Sequence, residues 1–309
     1  MAERTLPDEL MFIANRRATQ VTTTASMSGK ICVISGSTSG VGLEAAKRLA
    51  RENAHIVMLA RNPEKAERVR GQIKAQYPVR VDVVIAYFSD LGQVRSAAAT
   101  LLSNYPRIDV LINSAGLYCN GRTITPGGFE TVFCVNHLAP FLLTHLLLDR
   151  LKQSAPARII HVNSEGHRFC GVDLNDLDWK RRLYTGLGGY GASKTAQLLT
   201  TWEFADLLKG SGVTINAMHP GDVRTAIGAN NGPLYRWFLR HVIWHTLKDP
   251  VISGEALYYL AAAPELAEVS GRFFHLTIEE TPAAHAMDRR KGSQVWDASM
   301  RLAGLTSGP

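Results

Sequence analysis

From Lys30 onward, short runs of apolar and β-branched residues alternate with longer stretches whose apolar positions recur every three or four residues. The short runs predict seven strands, over residues 31–35, 55–60, 81–88, 109–113, 158–163, 213–219 and 271–276. Between them, helical periodicity covers 41–52, 63–76 and 137–152, among others. Strands that are apolar throughout and separated by helices belong to a parallel sheet buried on both faces. The expected fold class is therefore α/β, a doubly wound parallel sheet flanked by helices, whose ligands lie beyond the carboxyl ends of the strands. No internal repeat, low-complexity tract or linker divides the pattern, so residues 28–309 read as one domain, with an insertion at 222–248 before the last strand. Residues 1–27 read as an N-terminal extension: an appended helix, a tail, or upstream sequence preceding Met27.

Composition changes this picture little. With 309 residues, 46% of them hydrophobic and 20% charged, the chain is an ordinary globular one that can bury a sizeable core without a disulfide or metal staple. Cys32, Cys119, Cys134 and Cys170 are scattered, with no CxxC pair and no His/Cys cluster, which argues against a disulfide framework and a structural zinc site and fits a reducing, cytoplasmic setting. No run of about 18 apolar residues occurs, so no membrane-spanning helix is expected. The charge is more open. A net charge of +7 and a pI near 9.3 suit nucleic acid, an anionic membrane face or a phosphorylated small molecule.

The first predicted strand runs into Ser35-Gly36-Ser37-Thr38-Ser39-Gly40-Val41-Gly42, and a helix follows. Glycines there permit a tight turn and let the backbone approach a pyrophosphate at the helix N-terminus. The spacing is G-x-x-x-G-x-G. Further along the chain stand Asn113-Ser114-Ala115-Gly116, Asn136 in VNHLAPFLLTHLL, Ser164 in HVNSEGH, Tyr190 and Lys194 in YGASK, and Pro220-Gly221. In that order these motifs resemble the short-chain dehydrogenase/reductase family over about residues 28–280. The 26-residue separation of Ser164 and Tyr190, the ARNPEKA run and the C-terminal SGRFFHL resemble its retinol dehydrogenase-like subgroup.

The resemblance implies a Rossmann-type dinucleotide site. Gly36, Ser37, Thr38, Ser39, Gly40, Val41 and Gly42 would cradle the phosphates. Asn113, Ala115, Gly116, Pro220, Gly221, Val223 and Thr225 would line the rest of the cofactor, with Tyr190 and Lys194 at its nicotinamide end. At the end of the second strand stands Arg61, where an acidic residue would select the ribose 2′-hydroxyl of NAD. A guanidinium suits a 2′-phosphate, so NADP is expected over NAD. Tyr87 stands where the family commonly has the Asp that meets adenine, which leaves the adenine contact in doubt.

The catalytic set implied is Asn136, Ser164, Tyr190 and Lys194. A phenol of pKa about 10 is a poor acid/base at neutral pH unless nearby positive charge stabilises its anion. Lys194, one helical turn beyond Tyr190, supplies that charge. Ser164 would hold the substrate oxygen, and Asn136 a water leading from Lys194. The expected reaction is hydride transfer between NADP(H) and a carbonyl or alcohol on a bulky, lipophilic small molecule. The alternative is a catalytically silent NADPH sensor, in which this set is usually broken.

Glu165 and His167 are candidates for the substrate side, as are Trp237 and Phe238 in the insertion, which reads as a lid. The same insertion would also fit weak contact with a membrane surface, or a helix packed on the core. His241 and His245 have the spacing of a zinc-protease pair, but Val242 stands where the Glu would be, and no metal site is expected. No nucleic-acid module is present, and the family's habits suggest a homodimer or homotetramer.

Overall fold

The computed structural model describes Asn15, residues 18–224, Ile227, Asn231 and residues 247–306. Thr225, Trp237 and Phe238, and with them most of the expected lid, lie outside the described residues.

The strands are β1 (Ile31–Ser35), β2 (His55–Ala60), β3 (Val81–Ile85), β4 (Val110–Asn113), β5 (Ala157–Val162), β6 (Val213–His219), β7 (Phe273–His275) and β8 (Ile278–Glu279). They form one sheet in the order β3-β2-β1-β4-β5-β6-β7-β8. All neighbours are parallel except β8, a two-residue antiparallel edge against β7. Eight strands thus replace the expected seven, because a short return after Leu276 adds one. Strand β3 ends at Ile85, three residues short of the apolar run. The order reverses between β1 and β4, which opens a crevice at their carboxyl ends.

The helices are α1 (Gly40–Arg51), α2 (Pro63–Gln76), α3 (Leu91–Asn104), α4 (Thr131–Gln153), α5 (Gly186–Leu207), α6 (Val251–Ala262) and α7 (Arg289–Leu302). Alternate strand residues feed two cores. Cys32, Ile34, Ile56, Ile112 and Ile160 pack with α1, α2 and α6, whereas Val33, Leu111, Ile159 and Ile215 pack with α3, α4, α5 and α7. Helix starts follow from local chemistry. Asn62 Oδ1 accepts from Lys65 N at 2.7 Å ahead of Pro63, and Asp90 caps α3 through Gly92 N at 2.9 Å. Such caps contribute about 1 kcal/mol each.

Helix α4 is long and apolar enough to cross a membrane, yet it is mostly buried inside the fold, so its apolarity is that of a core helix. The described part of the N-terminal segment is bound to the domain. Val21 N donates to Thr277 Oγ1 at 2.8 Å, Tyr258 Oη donates to Ala25 O at 2.6 Å, and Met27 is buried. Residues 18–27 are thus tied to the β7–β8 turn at Thr277 and to α6 at Tyr258.

Candidate active site

At the crevice, Gly36 has φ +69°, and a Cβ there would lie 2.8 Å from Ala115 Cα. A Cβ on Gly42 would lie 2.7 Å from Gly36 O. Only glycine permits this close wrap of the β1–α1 turn against the segment after β4. Ser35 Oγ clamps the two together by accepting from Ser114 N and Ala115 N, both at 3.0 Å. Ser35 thus does structural work that its hydroxyl, not its size, explains.

The cradle ends on groups without partners among the described residues. Ser37 is fully buried and its Oγ has no hydrogen-bond partner there, while Ser39 sits at the N-cap of α1 without a side-chain capping bond. No acidic residue occupies the first turn of α1. Open N–H groups, the positive end of a helix dipole and an orphaned hydroxyl together fit a phosphate-bearing ligand. The residues present therefore fit a dinucleotide. Val41 is buried at the start of α1. Arg61 is exposed just beyond β2, with no hydrogen bond or ion pair among the described residues. Tyr87 is 45% exposed just after β3, its ring available at the same rim.

The catalytic candidates converge from three elements. Ser164 leaves β5 and caps the following 3-10 turn, its Oγ accepting from Gly166 N at 3.1 Å. Tyr190 and Lys194 lie one turn apart on α5, and the Lys194 ammonium is 5.7 Å from the Tyr190 ring centre. The Tyr190 ring and Ser164 Oγ both crowd Gly166, 2.9 and 3.4 Å from where its Cβ would be. Burial pushes this phenol above its ordinary value, and the Ser164 hydroxyl opposes that rise. Lys194 Nζ donates to Val162 O at 2.8 Å, and burial pulls its pKa down to about 7.

Asn136 lies on a π-turn, Cys134–Leu138, inside α4. Pro140 has no N–H for the carbonyl four residues before it, which is that of Asn136. Gln197 Nε2 donates to that carbonyl at 3.1 Å. The Asn136 side chain is equally engaged. Its Oδ1 accepts from Leu117 N at 2.8 Å, and its Nδ2 donates to Leu117 O and Ser193 Oγ at 3.0 Å. Asn136 therefore ties α4, α5 and the segment after β4 together, with Gly116 beside it and Lys194 beyond.

Other expected residues take varied places. Asn113 is buried and donates to Thr144 Oγ1 at 3.0 Å, so its side chain anchors β4 to α4. Pro220 O accepts from Ser253 Oγ at 2.6 Å, Gly221 has φ +80°, and Val223 is buried beside Lys248. Glu165 and His167, expected beside the substrate, are both buried and bound to protein. His167 Nδ1 meets Ser164 O at 2.8 Å and its Nε2 accepts from Ala283 N at 3.1 Å. That pair of partners selects the Nδ1–H tautomer, and burial draws the pKa down to about 4. Glu165 Oε2 accepts from Arg168 Nε at 2.5 Å.

Three contributors are not evident from the sequence motifs. Gly166 is needed because a Cβ there would lie 2.9 Å from the Tyr190 ring. Asn163 donates to Lys194 O at 3.0 Å and Gln197 Oε1 at 2.9 Å, and its own Oδ1 accepts from Ser164 N at 2.8 Å. Gln197 links Asn163 to Asn136. Its position two turns after Tyr190, on the same helical face, is the available signal.

Comparison with known proteins agrees with this geometry. Residues 30–174 match the family model described as short chain dehydrogenase. Human retinol dehydrogenase 13 is 38% identical over 91% of this chain and 86% of its own length. Mouse retinol dehydrogenase 14 is 38% identical over 90% of this chain and 87% of its own. An uncharacterized protein from Mycobacterium paratuberculosis shares the fold at a TM-score of 0.77 and 27% identity, covering 94% of this chain and all of its own. With those relatives spanning nearly its whole length, the chain belongs to the short-chain dehydrogenase/reductase family and is retinol dehydrogenase-like within it.

Proposed function

We propose that this oxidoreductase uses NADP(H) to interconvert a carbonyl and an alcohol on a bulky, lipophilic small molecule, with Tyr190 as acid/base. The observation that carries the reading is the Tyr190 ring gathered with Ser164 Oγ around Gly166, with the Lys194 ammonium 5.7 Å from the ring centre. The bound nicotinamide supplies or accepts the hydride. Tyr190 gives its proton to the substrate oxygen in reduction and takes it back in oxidation. Ser164 donates to that same oxygen as charge gathers on it, and the Lys194 charge favours the Tyr190 anion. The intact set speaks against a silent sensor. Kinship with retinol dehydrogenases supports a lipophilic alcohol or aldehyde.

The preference for NADP rests on Arg61, an exposed fork at the rim where a ribose 2′-phosphate would lie. The test is single-turnover absorbance of the reduced nicotinamide against a library of carbonyl compounds, with NADPH and NADH side by side. Reduction of hydrophobic aldehydes or ketones with NADPH favoured is the expected result. An NADH preference would remove Arg61 from the argument, and cofactor binding without any turnover would favour the sensor.

A further inference from the structure

At the carboxyl ends of β5, β6 and β7, the fold gathers a set of side chains that hydride transfer does not use. His219 closes β6 and His275 closes β7, and the two are register partners in adjacent parallel strands. Their rings stand 5.0 Å apart. Glu165, on the turn that leaves β5, points at the same spot. One donor atom from each of the three lies within 4.8 Å of the others, and all three residues are buried. His275 Nδ1 is 3.7 Å from Glu165 Oε1.

These donors lack conventional partners. Among the described residues, both ring nitrogens of His219, His275 Nδ1 and Glu165 Oε1 are buried with no partner at hydrogen-bond distance. Buried polar atoms left this way cost about 1–3 kcal/mol each, and here one from each of three residues faces the same space. Arg168 is wholly buried and pairs with both Glu165 and Glu280, each at 2.5 Å, and His275 Nδ1 lies 3.7 Å from an oxygen of each of the same carboxylates.

The geometry points to a divalent-metal site of borderline softness, zinc above all, formed by His219, His275 and Glu165, with water completing the coordination. Two imidazoles and a carboxylate are a zinc donor set. Tetrahedral zinc places neighbouring donors roughly 3.4 Å apart, so these need to close by no more than about 1.4 Å, within reach of side-chain rotation. The ion would bolt together three strand ends and hold the turn on which Ser164 sits. Its role is structural, outside the hydride-transfer chemistry, and the site stands whether or not the proposed activity is correct.

The test uses the full chain without a polyhistidine tag, stripped with a chelator and titrated with Zn²⁺ and with Co²⁺ at neutral pH. One metal per chain, a tetrahedral Co²⁺ absorption band and a rise in Tm of about 5 °C with saturating Zn²⁺ are expected. His275→Gln and Glu165→Gln should each weaken binding by about 100-fold or more. His55→Gln, at the distant Asp82 contact, should leave it unchanged. Circular dichroism of each variant reports whether it folds, and His219→Gln provides a second reading if His275→Gln does not. Absence of stoichiometric binding overturns the site. So does binding that survives His275→Gln and His219→Gln, since that metal would be held elsewhere.

Discussion

The two ends of the crevice are built on opposite principles. Beyond β1 and β4 the chain turns on glycine, alanine and serine, and the cradle leaves Ser37 Oγ and the start of α1 without partners among the described residues. Just beyond β5 stands Glu165, and β6 and β7 end in His219 and His275, backed by Arg168 and Glu280, all buried. One end is open to an external anion because small residues let backbone N–H groups face outward. The other holds its charges inside, so its stability depends on internal compensation. Tyr190 and Ser164 stand at the boundary, gathered around Gly166, and Glu165, next to Ser164 in the chain, enters the charged node.

Four measurements would break or sharpen that contrast. The largest effect belongs to the boundary. Tyr190→Phe should lower kcat by about 10³-fold or more while cofactor affinity, read by fluorescence, changes little. Turnover near that of the wild type would remove Tyr190 from the chemistry. At the closed end, Arg168→Met should cost about 3–5 kcal/mol, because it strands two buried carboxylates. A thermal melt should then fall by roughly 10 °C, and a change of under a degree would mean the node is not electrostatically linked.

At the open end, Arg61→Ala should weaken NADPH binding by about 10–100-fold with little effect on NADH, as expected for loss of a charge-assisted phosphate contact. Equal losses for both cofactors would place Arg61 away from the phosphate. The smallest effect is an acid slope. Burial holds His137 and His161 down to about 3, whereas in the unfolded chain they titrate near 6.5. Between those values the unfolded state binds more protons, so stability falls as pH drops below about 6.5. His161→Gln should flatten the plot of Tm against pH in that window. An unchanged slope would show that the acid sensitivity arises elsewhere.

Much of the open end is legible in the chain. Gly36, Gly42, Asn113 to Gly116, Ser164, Tyr190 and Lys194 are read from short spacings, because each depends on a turn or a helical period that local sequence encodes. Asn136 is legible as a residue, but its geometry is not. The π-turn and the bond from Gln197 arise from Pro140 together with a helix 61 residues distant. Glu165 and His167 read as substrate contacts because they neighbour Ser164, and proximity in sequence says nothing about which side of a turn faces the core. The segment before residue 28 reads as an appendage, since its bonds to Thr277 and Tyr258 span more than 230 residues.

The sequence by itself determined the doubly wound sheet, the glycine cradle and which residues are the catalytic candidates, since periodicity and short-range stereochemistry are local properties. Only the tertiary structure decided which polar groups are left without partners. Parallel pairing of β6 with β7 sets His219 beside His275, and the turn after β5 brings Glu165 to them. Nothing in the spacing of positions 165, 219 and 275 announces that meeting. Strand register sets the neighbours, and burial then turns the meeting into an energetic demand for a partner.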